Sequence, residues 1–147
     1  MPSAAMRALL GFAAGAISVL VFHQGIVELL HFLASGPRAW SVQPVPPFGI
    51  PRIADLCFWG GVWGIPFGML SSRLRGPLWL WGIPLGLAAV LTAWFVVAPI
   101  KGLPVAGGWV LSNMGRGLLI NVPWGIGVGL ILPLLMPRKL PRPAPTG

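Results

Sequence analysis

Acidic side chains and cysteine are almost missing from this chain. In 147 residues the only carboxylate side chains are Glu28 and Asp55, the only thiol is Cys57, and histidine occurs twice, as His23 and His31. Each scarcity excludes a chemistry. One cysteine rules out disulfide exchange within a single chain, and structural zinc lacks a ligand set. His23 and His31 stand on one helix and cannot take the opposite axial positions of one haem. Glu28 and His31 have the i, i+3 spacing of a di-iron Glu-x-x-His motif, but that chemistry takes two copies and two further carboxylates. No serine, histidine and aspartate arrangement stands out, and the glycines lie within apolar spans, not in a phosphate-cradling loop. The expectation is a chain with no metal, no cofactor and no catalytic residue, for which an enzymatic role is the weaker reading.

Charge of either sign is also sparse, at 8% of residues, against about 25% in a soluble domain. Hydrophobic residues make up 56% and the mean hydropathy is +0.85. These values point to an integral membrane protein. A helix crosses a hydrocarbon core with about 20 apolar residues, and four segments qualify: Ala8 to Leu33, Ile53 to Ser71, Leu78 to Ile100 and Leu118 to Met136. The predicted fold is all-α, a four-helix membrane bundle forming a single domain over residues 1–147. Arg7 before the first run resembles the start of a signal peptide, but the run is long and no small-residue cleavage site follows, so it reads as a retained helix.

What is abundant is glycine and proline, 21 and 17 residues. In lipid, neighbouring helices satisfy the backbone groups freed by Pro66, Pro84 or Pro123, and glycine permits close helix approach. Every span carries a Gly-x-x-x-Gly step: Gly11 to Gly15, Gly60 to Gly64 to Gly68, Gly82 to Gly86, and Gly125 to Gly129. A phrase Trp-Gly-Ile-[Pro/Gly]-x-Gly recurs at Trp63, Trp81 and Trp124. Aligning Gly11 with Gly82 and Trp63 with Trp124 equates the first span with the third and the second with the fourth, at offsets of 71 and 61 residues. Equivalent helices then run the same way, as two parallel-repeat hairpins; the competing reading is chance similarity among apolar segments.

The basic residues suggest an orientation. Arg7, Arg73, Arg75, Arg138, Lys139 and Arg142 fall on one side, and Arg38, Arg52, Lys101 and Arg116 on the other. By the positive-inside rule both termini are cytoplasmic in a bacterial inner membrane. The formal net charge of +8 makes anionic lipid headgroups the expected partner; nucleic acid is excluded, as no soluble basic domain exists to bind it. The loop Ala34 to Arg52 holds Pro37, Pro44, Pro46, Pro47 and Pro51, which favours extended backbone, and Trp40 and Phe48 suit it to lie along the interface. The tail Pro137 to Gly147 has the composition of a short basic disordered anchor.

Polar residues inside a membrane mark structure or function, because an unpaired charge there costs several kcal/mol. Counting about 1.5 Å per residue places His23 in the outer half of the first helix, with Gln24, Glu28 and His31 progressively nearer the surface. Gln24, Glu28 and His31 share an arc of about 60°. Asp55 opens the second helix and Arg116 precedes the fourth, each eight residues before its Trp-Gly-Ile phrase. The expectation is that Asp55 and Arg116 pair at the outer face and that Glu28 and His31 extend the pair. The candidate polar site is therefore His23, Gln24, Glu28, His31, Asp55 and Arg116, read either as an inter-helix clamp or as the lining of an outward-facing pocket.

The phrases Phe22-His23-Gln24-Gly25, Pro47-Phe48-Gly49-Ile50-Pro51 and Phe58-Trp59-Gly60-Gly61-Val62-Trp63-Gly64 together resemble an uncharacterised family of small four-helix inner-membrane proteins from proteobacteria. The resemblance spans residues 8 to 70. It implies localisation and architecture but no activity, and it directs interest to His23, Gln24 and the Trp-Gly phrase of the second helix. Three functional readings follow. The first is an accessory or assembly subunit that packs against a larger membrane complex or its own copies. The others are a small transporter or channel with a titratable site at His23 and Glu28, and a membrane-embedded enzyme acting on lipid or quinone.

Overall fold

The computed structural model describes residues 2–34 and 36–137; the basic tail after Pro137 lies outside the described residues. Among the described residues, four helices are long and apolar enough to cross a membrane: α1 Ala4–Ala34, α2 Arg52–Leu70, α3 Leu78–Ile100 and α4 Leu111–Leu135. They form an all-α bundle. Ser3 caps α1, its Oγ accepting the Met6 N–H at 3.1 Å. At the end of α3, Gly102 adopts φ +68°, while the Leu103 N–H returns to the Ala98 carbonyl and the Gly102 N–H to that of Pro99. That pattern closes a helix because only glycine enters the left-handed region without steric cost. Pro66, Pro84 and Pro123 all lie inside helices.

One boundary differs from the sequence reading. Helix α4 begins at Leu111, so Arg116 lies in its second turn instead of preceding it. Hydropathy drops across Ser112, Asn113 and Arg116, but a helix end at an interface holds its backbone bonds whatever its side chains are.

The hairpins α1–α2 and α3–α4 are glycine-packed in the same register. A Cβ on Gly11 would overlap the Gly64 carbonyl, one on Gly15 the Gly60 carbonyl, and one on Gly68 the Arg7 carbonyl. In the second hairpin Gly82 meets Gly125, Gly86 meets Asn121 and Gly129 meets Leu78. Shifting the first three pairs by the offsets of 71 and 61 residues produces the second three. The two hairpins thus share one contact pattern, as a parallel repeat requires. Both leading helices also carry a π-turn in their second half, Val19–His23 in α1 and Ala93–Val97 in α3.

Equivalent positions supply the core. Ala14, Phe67, Trp124, Val128 and Leu132 form its buried centre, with Trp63, Leu85 and Ala89 packed against it. The repeat is not symmetric in spacing: α1 approaches α4 closely, whereas α2 and α3 do so at far fewer positions. Side-chain size accounts for this. Ala14 and Ser18 of α1 face α4 and its Gly127, while in the other hairpin the larger Leu85 stands in place of Ala14 and Pro66 in place of Gly127.

Two connections stand at one end of the bundle, residues 36–51 and 101–110. The first holds a two-stranded ribbon, β1 Pro44–Val45 paired antiparallel with β2 Ile50–Pro51. Its carbonyls also cap α2, with Arg52 N–H donating to Gln43 at 2.9 Å and Ile53 N–H to Ser41 at 3.0 Å. The second connection runs left-handed from Ala106 to Trp109 and is tied to α4 by Asn113 Nδ2, which donates to the Gly107 carbonyl at 3.0 Å.

Candidate functional site: the polar stripe of helix α1 and the Arg116 cleft

After Ala34 the chain reverses and runs back down α1, meeting its polar stripe residue by residue. His31 Nδ1–H donates to the Gly36 carbonyl at 2.5 Å. Glu28 Oε2 accepts the Ala39 N–H at 3.0 Å, and Gln24 Oε1 accepts the Trp40 N–H at 2.6 Å. One turn lower, the Trp40 indole N–H donates to the Leu20 carbonyl at 3.0 Å. Residues 36–40 thus form a strap, and the stripe is its seat.

The π-turn makes the lowest of these bonds accessible. In a regular helix the Leu20 carbonyl would accept the Gln24 N–H; here that N–H reaches Val19 and Val21 instead, leaving Leu20 open to the indole. Trp40 itself has φ +50°, a conformation that a bulky residue holds only when its surroundings impose it. Its two N–H bonds to α1 are that imposition. The Gln24 side chain is buried, 3% exposed, so its acceptor would be costly to leave unmade.

His23 is half-buried beside the same point. Its Nδ1 accepts from Gln24 Nε2 at 3.0 Å, which orients the amide so that Oε1 faces Trp40 and leaves the proton of a neutral ring on Nε2. Glu28 also lies 3.7 Å from the Arg38 guanidinium. Arg38 is 74% exposed, and such pairs contribute little. The carboxylate acts mainly as the Ala39 acceptor.

The expected Asp55–Arg116 pair is not formed. Asp55 Oδ1 accepts the Trp59 indole N–H at 3.1 Å, one turn along its own helix, and among the described residues the one ion pair is Arg38 with Glu28. Helix α1 stands between the two, packing against both α2 and α4, so equal depth along α2 and α4 does not bring them together. Arg116 lies instead against Gly36, where a Cβ would come 2.6 Å from its Nη1. It therefore joins His31 through the strap and not Glu28 through charge. Its Nη2 is buried with no hydrogen-bond partner. Beside it opens a cleft of about 380 Å³ lined by Leu30, Ala34, Ser112, Asn113, Gly115, Arg116 and Leu119.

Sequence reasoning placed the polar stripe and missed what it holds. The partners are backbone N–H groups of residues 39 and 40, which no residue type announces. The signal that existed was Trp40, an indole donor in a loop long enough to fold back over the stripe. Also missed was Ser18, wholly buried, whose Oγ–H donates to the Trp124 carbonyl at 2.6 Å. No protein-family model, curated protein or solved structure matches this chain.

Proposed function

We propose that this chain is a multi-pass protein of a bacterial inner membrane, with both termini cytoplasmic and the connections 36–51 and 101–110 on the periplasmic side. In this reading it serves as an accessory or assembly subunit of a membrane complex, or packs with its own copies, and acts through its surfaces. The observation that carries the proposal is the use made of Gln24 and Glu28: each gives an acceptor to a strap N–H. A proton-coupled transport site needs a carboxylate free to exchange its proton with cargo, and a Glu28 committed to the strap is poorly suited to that task. The resemblance to small proteobacterial four-helix proteins supports the same localisation.

Extraction in mild detergent followed by native mass measurement tests the reading. Partner subunits or a defined oligomer are expected. A bare monomer would contradict it, as would ion or substrate flux through reconstituted vesicles that disappears in Glu28→Gln. For topology, single cysteines at Pro44, Leu74 and Leu103 in a Cys57→Ser background are expected to label from the periplasm at 44 and 103 alone; labelling at 74 would invert the assignment.

A further inference from the structure

We infer that the cleft beside Arg116 binds a phosphate group, carried by a membrane lipid whose acyl chain lies along Leu30, Ala34 and Leu119. The argument begins with charge. Arg116 keeps a cation in the second turn of a membrane helix, no carboxylate among the described residues neutralises it, and its Nη2 is sealed from solvent without a partner. A buried charged donor left unmade is costly; Arg116 itself lines the cleft, so a turn of its guanidinium from the strap toward the cleft would let an anion there complete it.

The surroundings define what completes it. Gly36 leaves room for the guanidinium where any side chain would collide, and the cleft opens beside it between α1 and α4. One wall is aliphatic, from Leu30, Ala34 and Leu119; the other carries the Ser112 hydroxyl and the Asn113 amide, whose second N–H remains after the one given to Gly107. The same wall is the first turn of α4, a 25-residue helix whose N-cap, Val110, supplies no side-chain acceptor, so its leading N–H groups add positive potential. A planar guanidinium with hydroxyl and amide beside it suits phosphate oxygens, and the aliphatic wall suits a chain attached to that phosphate.

Phosphatidylglycerol, diacylglycerol and inorganic phosphate, each added to delipidated protein in neutral detergent, separate the sources of that chemistry. Bound lipid is read by native mass and stability by thermal unfolding. The inference predicts a retained phosphatidylglycerol adduct and a raised Tm, with diacylglycerol without effect. Arg116→Gln should weaken retention about tenfold, Arg116→Lys should weaken it less, and Leu119→Trp, which fills the aliphatic wall, should displace the lipid while leaving Arg116 intact. Arg38→Gln, an exposed cation on the same end, should change nothing. A Tm raised by inorganic phosphate to the same extent, and kept in Leu119→Trp, would overturn the lipid as the source. Equal retention in Arg116→Gln and wild type, or a loss in Arg38→Gln as large as in Arg116→Gln, would overturn the site itself.

Discussion

Trp124 donates its indole N–H to the carbonyl of Gly15 at 3.1 Å, across the closest approach between the two hairpins. The bond is returned when Ser18, one turn along from Gly15, donates to the Trp124 carbonyl at 2.6 Å. Both side chains are buried, so the α1–α4 interface is fastened by a reciprocal pair inside an apolar bundle. Interhelical hydrogen bonds in membranes contribute about 0.5–2 kcal/mol each. Trp124→Phe and Ser18→Ala should each destabilise the protein in detergent by about that much. Because they share one interface, their double mutant should show coupling of at least about 0.5 kcal/mol, measured by reversible unfolding.

Gly15 and Gly25 lie on the same helix and should respond oppositely to alanine. A Cβ at Gly15 would overlap the Gly60 carbonyl, whereas one at Gly25 meets nothing within 4 Å. Gly15→Ala should force α1 and α2 apart, at about 1–3 kcal/mol. Gly25→Ala should stabilise the helix by about 0.5–1 kcal/mol. Thermal unfolding of the two variants in parallel checks the contrast.

The repeat makes a further quantitative demand. Gly64 and Gly125 occupy the same register position of their hairpins, each against a glycine of the leading helix. Gly64→Leu and Gly125→Leu should therefore be similarly destabilising, on the order of 1–3 kcal/mol. Loss at one position and tolerance at the other, in the same unfolding assay, would show that the shared pattern does not carry shared energetics.

Asp55 and Arg116 should behave independently. With Asp55 bonded to Trp59 and Arg116 seated against Gly36, the effects of Asp55→Asn and Arg116→Gln should add to within about 0.5 kcal/mol in a double-mutant cycle. Coupling beyond about 1 kcal/mol would restore the pairing that their matched sequence positions suggested.

Spans and glycine-based packing were legible in the sequence because each is written at single positions: an apolar run of the right length, and a residue without a side chain every four positions. The 61-residue offset followed from the Trp63 and Trp124 phrases, and the 71-residue offset from the Gly11 and Gly82 steps, for the same reason. Neighbour relations were less legible. Equal depth for Asp55 and Arg116 says nothing about which helix stands between them, and that depends on Ala14, Ser18 and Gly127 letting α1 and α4 close together. The start of α4 was hidden because Ser112, Asn113 and Arg116 are polar yet helical. The strap was hidden because its donors are main-chain groups, and the Leu20 acceptor exists only through a π-turn that leaves no mark in the residues Val19 to His23.

The central claim is that the polar stripe of α1 exists to hold residues 36–40, and amide hydrogen exchange in lipid nanodiscs tests it at the bonds themselves. Trp40 and Ala39 N–H groups bonded to Gln24 and Glu28 should be protected in the wild-type protein. In Gln24→Leu/Glu28→Leu their peptide should exchange at least about tenfold faster, while peptides of α2 and α4 keep their protection. Rapid exchange of residues 39 and 40 in the wild type, or protection unchanged in the double variant, would contradict the account.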